Sequence, residues 1–331
     1  MLEWTGERYL PFVDPKISGT EIHYEHLHRY CFASRFVKGK KVLDLGCGEG
    51  YGSDILSELA ENVIGIDIDE KAIEHASSKY VKKNLKFIRG SAFEVPIKSE
   101  NSFDVIICFE ILEHVEEHNK LLSEVKRLLK ADGVLVISTP NKKVYSDEAN
   151  YKNPFHKKEL YFSEFKELLK AYLNHVYFFG QRVYAGSRLC SLARVNDISE
   201  EYLVERRKSG FAITDHETKE PMYFIAIVSD NEIDASKLTP RSYLTDVDST
   251  VFHDSRSLET EKTRLAEELD KARNELSMIK ESLGYQFMRF CAKKIDRLFP
   301  EGRRRGRLRK AIAASLQIAA RERLCRSLRQ A

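Results

Sequence analysis

The chain has 331 residues, of which 42% are hydrophobic and 32% are charged, so it can bury a large core and is more charged than most globular proteins. Its first residues lack the basic segment and apolar core of a signal peptide, and no apolar run reaches the about 20 residues that a membrane-spanning helix needs. Six cysteines without paired spacing indicate reduced thiols and no zinc motif. We therefore expect a cytoplasmic protein, either soluble or held peripherally at the inner face of the cell membrane.

The net charge of +3 hides an uneven distribution along the chain. Residues 286–331 hold 14 basic and three acidic residues, a net charge of +11, which leaves the rest of the chain at −8. A slightly acidic body therefore carries a strongly basic C-terminal tail.

The segment before the first predicted strand is an amphipathic helix that runs to Phe36 and holds aromatic and histidine side chains around Arg29. The first strand, residues 41–45, leads into a loop with glycines at positions 46, 48 and 50 and then into a helical segment. Glycine has no Cβ, so the loop can adopt positive φ and let a ligand approach its backbone, although a tight turn can use glycine for steric reasons alone. A second apolar strand ends in Asp67, about 20 residues later, where α/β nucleotide sites place a carboxylate on ribose hydroxyls. The spacing predicts a site for an adenosine-type ligand.

The glycines run G-x-G-x-G, and Asp44 stands two residues before the first of them. This pattern resembles the first motif, D/E-x-G-x-G-x-G, of the class I S-adenosylmethionine-dependent methyltransferases, and the resemblance covers about residues 40–230. It implies S-adenosyl-L-methionine as the cofactor. The positions that match the cofactor site of this family are Asp44, Gly46, Cys47, Gly48, Gly50, Asp67, Ile68, Ser91, Ala92, Phe109 and Arg29.

Two of these positions carry alternatives. Related enzymes commonly have an aspartate on the adenine amino group where this chain has Ser91, and the backbone of Ser91 and Ala92 or the serine oxygen can serve instead. Because the segment before the first strand often covers the methionine end of the cofactor in this family, we expect Arg29 or Tyr30 at its carboxylate. The alternative is that both side chains only cover the edge of the sheet.

Apolar runs alternate with helical segments from Lys41 to about Ser138, which is the pattern of βαβ units. The predicted fold is α/β, with a doubly wound, mostly parallel seven-stranded Rossmann-like sheet and a ligand crevice at the carboxyl ends of its strands. The predicted strands are residues 41–45, 63–67, 85–89, 103–109, 133–138, 176–179 and 223–228, and the predicted helices are residues 53–60, 70–80, 119–129 and 162–173.

Three ionisable residues, Glu110, Glu113 and His114, follow the fourth predicted strand directly. In a one-turn helix Glu110 and His114 would be i,i+4 neighbours, and Glu113 and His114 could also simply brace the next helix. We favour His114 as the base that takes the proton of an attacking hydroxyl, because the unperturbed pKa of histidine lies nearest neutrality and an in-line methyl transfer needs mainly positioning and a base. Glu113 and His156 are expected beside it, with Glu110 as a fourth candidate.

The same residues raise the question of a metal. The pattern E-x-x-E-H with the downstream His156 also resembles the ligand set of small-RNA 2′-O-methyltransferases, which use a divalent ion. Similar patterns occur in metal-free small-molecule O-methyltransferases that resemble the ubiquinone-pathway enzymes. Our favoured interpretation therefore assigns no metal, with an ion on Glu110, Glu113, His114 and His156 as the alternative.

Segments after the fifth strand are the expected acceptor side. The polar, tyrosine-bearing loop at residues 141–154 is a natural lid over the crevice. An insertion at residues 180–221 separates the last two strands and is predicted to hold a helix around residues 199–208. Neither segment identifies the acceptor.

The C-terminal third is predicted to divide into a linker at residues 231–254, a coiled coil at residues 255–284 and an amphipathic basic tail at residues 285–331, after a catalytic domain at residues 1–230. The coiled coil could join two copies of the chain, or its helix could lie back on the catalytic domain. The tail suits an anionic membrane surface or a partner protein of a glycan-synthesis complex, and nucleic acid is not expected as a partner. The apolar seam of the coiled coil consists of Leu258, Leu265, Leu269, Ala272, Leu276, Ile279 and Leu283, with Lys262 at its one polar position.

Both ends of the chain also resemble methyltransferases and glycosyltransferases of cell-surface polysaccharide (O-antigen type) biosynthesis, through the pattern G-E-R-x-x-P near the start and the tail at the end. The expected function is transfer of a methyl group to an oxygen of a saccharide or glycolipid-linked glycan. Two alternatives stay open: a metal-dependent RNA 2′-O-methyltransferase, and a cofactor-binding scaffold that recruits a glycan-synthesis complex.

Overall fold

The structure is a computed structural model that describes residues 2, 8–11, 20–186, 201, 203–207, 210–214, 219–239, 241–246 and 250–298. The chain divides into two units, Met1–Asp254 and Ser255–Ala331. All of the strands and the predicted catalytic residues belong to the first unit, whereas the second unit is helical where the structure describes it.

Nine strands form the described β-structure of the first unit. They are β1 (Lys41–Leu45), β2 (Asn62–Asp67), β3 (Leu85–Arg89), β4 (Phe103–Cys108), β5 (Leu129–Pro140), β6 (His175–Gln181), β7 (Leu203–Arg207), β8 (Gly210–Thr214) and β9 (Tyr223–Ser229). Seven of them form one sheet in the order β3-β2-β1-β4-β5-β9-β6, in which β9 is antiparallel to both of its neighbours and the other paired strands are parallel. The predicted mostly parallel seven-stranded sheet is thereby confirmed.

Helices cover both faces of this sheet, as right-handed βαβ crossovers require. On one face the core includes residues of the first three helices, and on the other it includes residues of the next two. The helix His118–Leu128 shows why, because its residues Leu121, Leu122, Val125 and Leu128 recur at helical spacing and all are buried. The seven described α-helices are α1 (Thr20–Val37), α2 (Tyr51–Ser57), α3 (Glu70–Lys79), α4 (His118–Leu128), α5 (Phe162–Lys170), α6 (Thr250–Glu281) and α7 (Leu283–Leu298).

The central strand β1 determines where a ligand can bind. It pairs with β2 on one side and with β4 on the other, so the chain reverses its direction of winding between β1 and β4. Open α/β sheets bind ligands at such a switch point, outside the carboxyl ends of the strands. The glycine loop after β1 and the acidic segment after β4 therefore meet at one edge of the sheet.

The predicted helix around residues 199–208 is wrong where the structure describes that segment. Residues 203–207 form β7, which pairs antiparallel with β8 and sets Val204 opposite Ile213. The β-branched side chains of these two strands favour extended backbone, and the cross-strand pairing outweighs the helical propensity of the charged residues. The remaining residues of the predicted helix, except for Glu201, lie outside the described part of the chain.

The second unit holds α7 and all of α6 from Ser255 onward, which cover the predicted coiled-coil segment and the start of the predicted tail. The rest of the predicted tail, residues 299–331, lies outside the described residues. Among the helices that the structure describes, none is both long enough and apolar enough to cross a lipid bilayer.

Candidate active site

The glycine loop after β1 uses its three glycines for two different reasons. All three have positive φ: +72° at Gly46, +55° at Gly48 and +97° at Gly50. A Cβ on Gly46 would lie 2.6 Å from the Ile111 side chain, and one on Gly50 would lie 2.7 Å from Ala76 Cβ. The nearest atom to a Cβ on Gly48 would be the Arg8 side chain at 3.7 Å. Gly46 and Gly50 are therefore needed for packing, whereas Gly48 leaves room in the crevice.

Asp67, at the end of β2, ties this loop to the neighbouring strand. Its Oδ2 accepts a hydrogen bond from the Gly48 amide and its Oδ1 accepts one from the Asp69 amide, both at 2.9 Å. Arg8 lies across this edge, with Nη2 2.9 Å from Asp69 Oδ2 and 3.9 Å from Asp67 Oδ1. Ile68, between the two aspartates, is 70% exposed and offers an apolar surface beside the carboxylate. A carboxylate next to an apolar side chain suits the hydroxyls and the flat base of a nucleoside.

Asp44 is buried below the loop and joins three elements. It accepts hydrogen bonds from Ser53 at 2.5 Å and from the Tyr30 hydroxyl at 3.2 Å, which links β1 to α2 and α1. Burial raises the pKa of Asp44 to about 6. Cys47 is also buried. Of the predicted cofactor residues, these two support the loop from below.

The ends of β3 and β4 complete this side of the crevice. Ser91 and Ala92 follow β3, where the Ser91 hydroxyl accepts a hydrogen bond from the Phe93 amide at 3.1 Å. Phe109 follows β4, is buried, and packs edge-on against Tyr30 with ring centroids 5.2 Å apart. The predicted cofactor positions therefore lie along the carboxyl ends of four adjacent strands, with Arg29 contributed by the helix before them.

Arg29 is a buried cation with unused hydrogen-bonding capacity. Its Nε donates to Gln181 Oε1 at 2.8 Å, its guanidinium stacks on the Tyr223 ring at 4.4 Å, and its Nη1 lies 3.2 Å from Glu110 Oε1. Neither Nη atom makes a hydrogen bond with acceptable geometry to any residue that the structure describes. Buried donors are nearly always satisfied, so a guanidinium in this state suits an anionic group of a ligand, a carboxylate above all.

Glu113, His114 and His156 come together on the other side of the crevice. One ligand atom from each lies within 4.8 Å of the other two. Glu113 is buried, and desolvation followed by the nearby charge of Glu110 raises its pKa above the usual range of a glutamate. The rings of the two histidines lie 5.1 Å apart and nearly perpendicular. The sequence prediction that these three residues share a site agrees with this geometry.

Hydrogen bonds orient both imidazole rings. His114 Nδ1 lies 3.2 Å from the Phe155 carbonyl oxygen, which can only accept, so Nδ1 carries the proton and the lone pair of the neutral ring lies on Nε2. His156 Nδ1 lies 2.6 Å from Glu159 Oε1, and Tyr145 stacks on the His156 ring at 5.3 Å. A carboxylate or carbonyl behind an imidazole fixes its tautomer and raises its basicity.

Glu110 is set apart from this group. Its φ of +52° is left-handed, and the helical turn that follows it is the 3₁₀ turn Leu112–His114, so the expected i,i+4 pairing of Glu110 with His114 is wrong. The Glu110 carboxylate accepts a hydrogen bond from Ser138 at 2.7 Å and faces Arg29 instead. Left-handed backbone at a residue with a side chain is strained, and such strain concentrates at functional sites.

A divalent metal could be held by Glu113, His114 and His156, because two imidazoles and a carboxylate form a donor set that first-row divalent ions accept. The fourth residue of the sequence alternative, Glu110, does not belong to this group. The hydrogen bonds behind both histidines are those that metal ligands also need. The same arrangement serves a proton-transfer site, so the geometry alone is compatible with either chemistry.

Several residues of the site carry no recognisable sequence signal. Glu49, inside the glycine loop, is fully buried and contacts His75 at 2.8 Å, Lys79 at 2.7 Å and the Tyr80 hydroxyl at 2.8 Å. These contacts hold α3 against the glycine loop. The position of Arg8 over Gly48 could be predicted only from the resemblance to methyltransferases in which the segment before the first strand covers the crevice.

An open cleft of about 720 Å³ lies at the opposite edge of the sheet, where residues from the amino ends of the strands line it, among them Lys41, Asn62 and Phe103. It holds none of the predicted site residues. We therefore place the active site at the carboxyl edge, where the ionisable groups and the glycine loop meet.

Comparisons with known proteins bear on the type of domain to which this crevice belongs. Residues 36–181 match the family model described as a methyltransferase domain. A probable S-adenosylmethionine-dependent methyltransferase of Mycolicibacterium smegmatis is 35% identical over 173 residues, which are 51% of this chain and 64% of that protein. A ubiquinone biosynthesis O-methyltransferase of Pelagibacter ubique is 38% identical over 110 residues, which are 33% of this chain and 46% of that protein.

Among solved structures, a methyltransferase from Archaeoglobus fulgidus aligns with a TM-score of 0.45 and 22% identity, over 62% of this chain and 92% of that one, a likeness too loose to support an argument about the site. The chain spans less than two thirds of the length of the Mycolicibacterium smegmatis and Pelagibacter ubique relatives. The family match rests on residues 36–181, which contain the glycine loop, Asp67 and the group formed by Glu113, His114 and His156. These residues match a methyltransferase domain and are similar to part of a probable S-adenosylmethionine-dependent methyltransferase.

Proposed function

We propose that this protein transfers the methyl group of S-adenosyl-L-methionine to a hydroxyl oxygen of its acceptor. The observation that carries the proposal is the meeting, at one sheet edge, of an adenosine-type site with an oriented histidine. The glycine loop and Asp67 supply the first, and His114 beside Glu113 supplies the second. When bound, the cofactor supplies an electrophilic methyl group on a sulfonium.

The residues at the crevice suit each part of that cofactor. Asp67 is the candidate for the ribose hydroxyls, because its carboxylate stands at the end of β2 beside the loop. Ile68 offers its exposed side chain to the adenine ring. Arg29 is the candidate for the methionine carboxylate, since its two Nη atoms lack a hydrogen-bond partner among the described residues.

His114 is the proposed general base. Its Nδ1 donates to the Phe155 carbonyl, so Nε2 is the atom that accepts the proton of the acceptor hydroxyl. In its ionised form the Glu113 carboxylate stabilises the imidazolium that forms, because a negative charge nearby favours a protonated ring. Proton removal and alignment of the hydroxyl are the two contributions that this chain must make to an in-line displacement.

For the acceptor we propose a saccharide or a glycolipid-linked glycan. Tyr151 and Phe155 are 51% and 45% exposed on the segment that leads to His156, and exposed aromatic rings offer a surface on which a sugar or another flat ring can stack. A small hydroxylated aromatic molecule is a second candidate, favoured by the similarity to the ubiquinone biosynthesis O-methyltransferase. The basic tail is proposed to hold the enzyme at an anionic membrane surface or at a partner protein.

A metal-dependent RNA 2′-O-methyltransferase is the second candidate function, favoured by the ligand atoms of Glu113, His114 and His156 within 4.8 Å of one another. Chelation separates the two mechanisms. Methyl transfer that is lost with a chelator and restored by Mn²⁺ would favour the metal, whereas transfer that survives chelation supports His114 as a base.

The test of the proposed function measures cofactor binding by calorimetry and transfer of a labelled methyl group to a panel of glycans, hydroxylated aromatics and RNA. We expect His114→Ala to bind the cofactor as the wild type does and to slow transfer by about 100-fold or more. His175→Ala is the matched control, because His175 begins β6 at the opposite edge of the sheet. Unchanged turnover in His114→Ala would refute the base assignment, and RNA as the preferred acceptor would refute the glycan.

A further inference from the structure

The described part of the second unit presents an apolar stripe along α6. Four seam residues remain about half exposed: Leu265 and Leu269 at 52%, Leu276 at 50% and Ile279 at 46%. They recur at spacings of four, seven and three residues, with Ala272 between them, which keeps them on one face of the helix. An apolar stripe of this length on a helix is a surface that another helix covers.

The spacing fixes a heptad register for α6. Leu265, Ala272 and Ile279 take position d, and Lys262, Leu269 and Leu276 take position a. The flanking g positions are then all acidic, at Glu261, Glu268 and Glu275. The flanking e positions are Ala266, Arg273 and Lys280.

This charge pattern distinguishes between the two ways in which two copies of α6 could pair. In a parallel, in-register pair each g residue faces the e residue five positions later on the other chain. Glu268 then meets Arg273 and Glu275 meets Lys280, twice each by symmetry. In an antiparallel pair g residues face g residues and e residues face e residues, so glutamates would oppose glutamates and basic residues would oppose basic residues.

The intrachain contacts leave these residues available for such pairs. Glu268 lies 3.9 Å from Arg264, and Arg273 lies 3.9 Å from Asp270, both in exposed contacts of the kind that contribute little to stability. A lysine at the a position 262 also limits the choice of partner, because a polar a residue specifies register and oligomer state at a cost in stability.

We propose that α6 is a parallel, in-register dimerisation helix, and that its partner is a second copy of this chain. The proposal does not depend on the methyl acceptor or on the mechanism. It assigns Leu269 and Leu276 to the buried seam and the pairs of Glu268 with Arg273 and Glu275 with Lys280 to the choice of orientation.

The first experiment measures the mass of the full chain in solution by light scattering across a micromolar dilution series. We expect a dimer for the wild type, and a dissociation constant at least about 100-fold higher for the double variant Leu269→Asp with Leu276→Asp, because both copies lose seam contacts. Met278→Asp is the matched control, since Met278 is 67% exposed and lies off the seam at position c. A monomeric wild type, a dimeric double variant, or equal disruption by Met278→Asp would overturn the proposal.

The second experiment tests the orientation. Position d residues of a parallel, in-register pair lie opposite one another, so Ala272→Cys should form a covalent dimer under mild oxidation. Asn274→Cys, at the outward f position, should show no more covalent dimer than the wild type with its native cysteines. A dimeric protein in which Ala272→Cys does not crosslink above that level would overturn the parallel arrangement.

Thermal unfolding of the first unit, followed in each variant, confirms that the fold around the active site survives. Because these substitutions lie in the second unit, we expect the thermal transition of the first unit to be unchanged in each variant. A charge-reversed variant, Glu268→Lys with Glu275→Lys, keeps the seam intact and should weaken the dimer by itself. If it dimerises as well as the wild type, the pairing of g and e residues does not choose the orientation.

Discussion

Replacing a glycine by alanine can lower the free energy of unfolding through backbone strain or through steric crowding. Three glycines with positive φ allow these two contributions to be measured separately. Gly39 has φ +66° and no atom within 4 Å of the place where a Cβ would lie. Gly48 has φ +55° and its nearest atom at 3.7 Å, and Gly50 has φ +97° and atoms at 2.7 and 2.9 Å. Alanine at Gly39 therefore adds strain alone, alanine at Gly48 adds strain in the crevice, and alanine at Gly50 adds strain and a clash.

The expected magnitudes follow from these distances. A side chain in the left-handed region costs about 1–2 kcal/mol, which is the expected loss of stability for Gly39→Ala and Gly48→Ala. Gly50→Ala adds about 1–3 kcal/mol for overpacking, because Ala76 and Phe87 belong to the buried core and cannot move freely. We expect a total loss of about 2–5 kcal/mol for Gly50→Ala.

Two measurements on the same three variants test this division. Urea unfolding gives the free energy of unfolding, and calorimetry gives the affinity for S-adenosyl-L-methionine. Gly48→Ala should bind the cofactor at least about 10-fold more weakly than Gly39→Ala at equal stability, because its methyl group enters the crevice. The reasoning fails if Gly50→Ala is as stable as Gly39→Ala, or if Gly48→Ala binds the cofactor as Gly39→Ala does.

Two further predictions concern buried carboxylates. Burial raises the pKa of Glu25 to about 7 and that of Asp44 to about 6, so both bind protons more tightly in the folded state. The free energy of unfolding should therefore fall as pH rises from about 4 to about 7. Glu25→Gln should flatten this fall in urea unfolding, and an equally steep fall in the variant would contradict the assignment. Glu49→Gln should lose about 2–3 kcal/mol, because His75 and Lys79 lose their buried counter-charge, and a thermal transition at the wild-type temperature would contradict this.

The strands of the main sheet and their mostly parallel arrangement are the part of the fold that the sequence predicts well. Short apolar runs such as residues 41–45 and 103–108 are buried on both faces in a parallel sheet, and their composition alone marks them. The carboxyl-edge location of the site follows from the parallel arrangement, because the glycine loop, Asp67 and the acidic segment from Glu110 each come at the end of a strand. The β7–β8 hairpin could not be predicted in the same way, since its stability depends on cross-strand pairs rather than on a local pattern.

The grouping of side chains within the site is harder to predict. Sequence spacing suggests that Glu110 and His114 share a helical turn, but the left-handed backbone of Glu110 turns its carboxylate toward Arg29. A single residue in an unusual backbone conformation changes which face a side chain points to, and no periodicity reports it. Glu49 escapes sequence reasoning for a related reason, since its partners on and beside α3 are 26 to 31 residues away in sequence.

The buried charges around Arg29 explain how one site can be stable without its ligand and still bind an anion. Glu110 faces the guanidinium at 3.2 Å, and Glu25 is close enough for its charge to act on Arg29. Because burial raises the pKa of Glu25 to about 7, this carboxyl can accept a proton near neutral pH when another anion approaches the same cation. The proposed methionine carboxylate would therefore replace the charge of Glu25 rather than add to it. Gln181 would keep Arg29 in place through Nε while Nη1 and Nη2 donate to the incoming carboxylate.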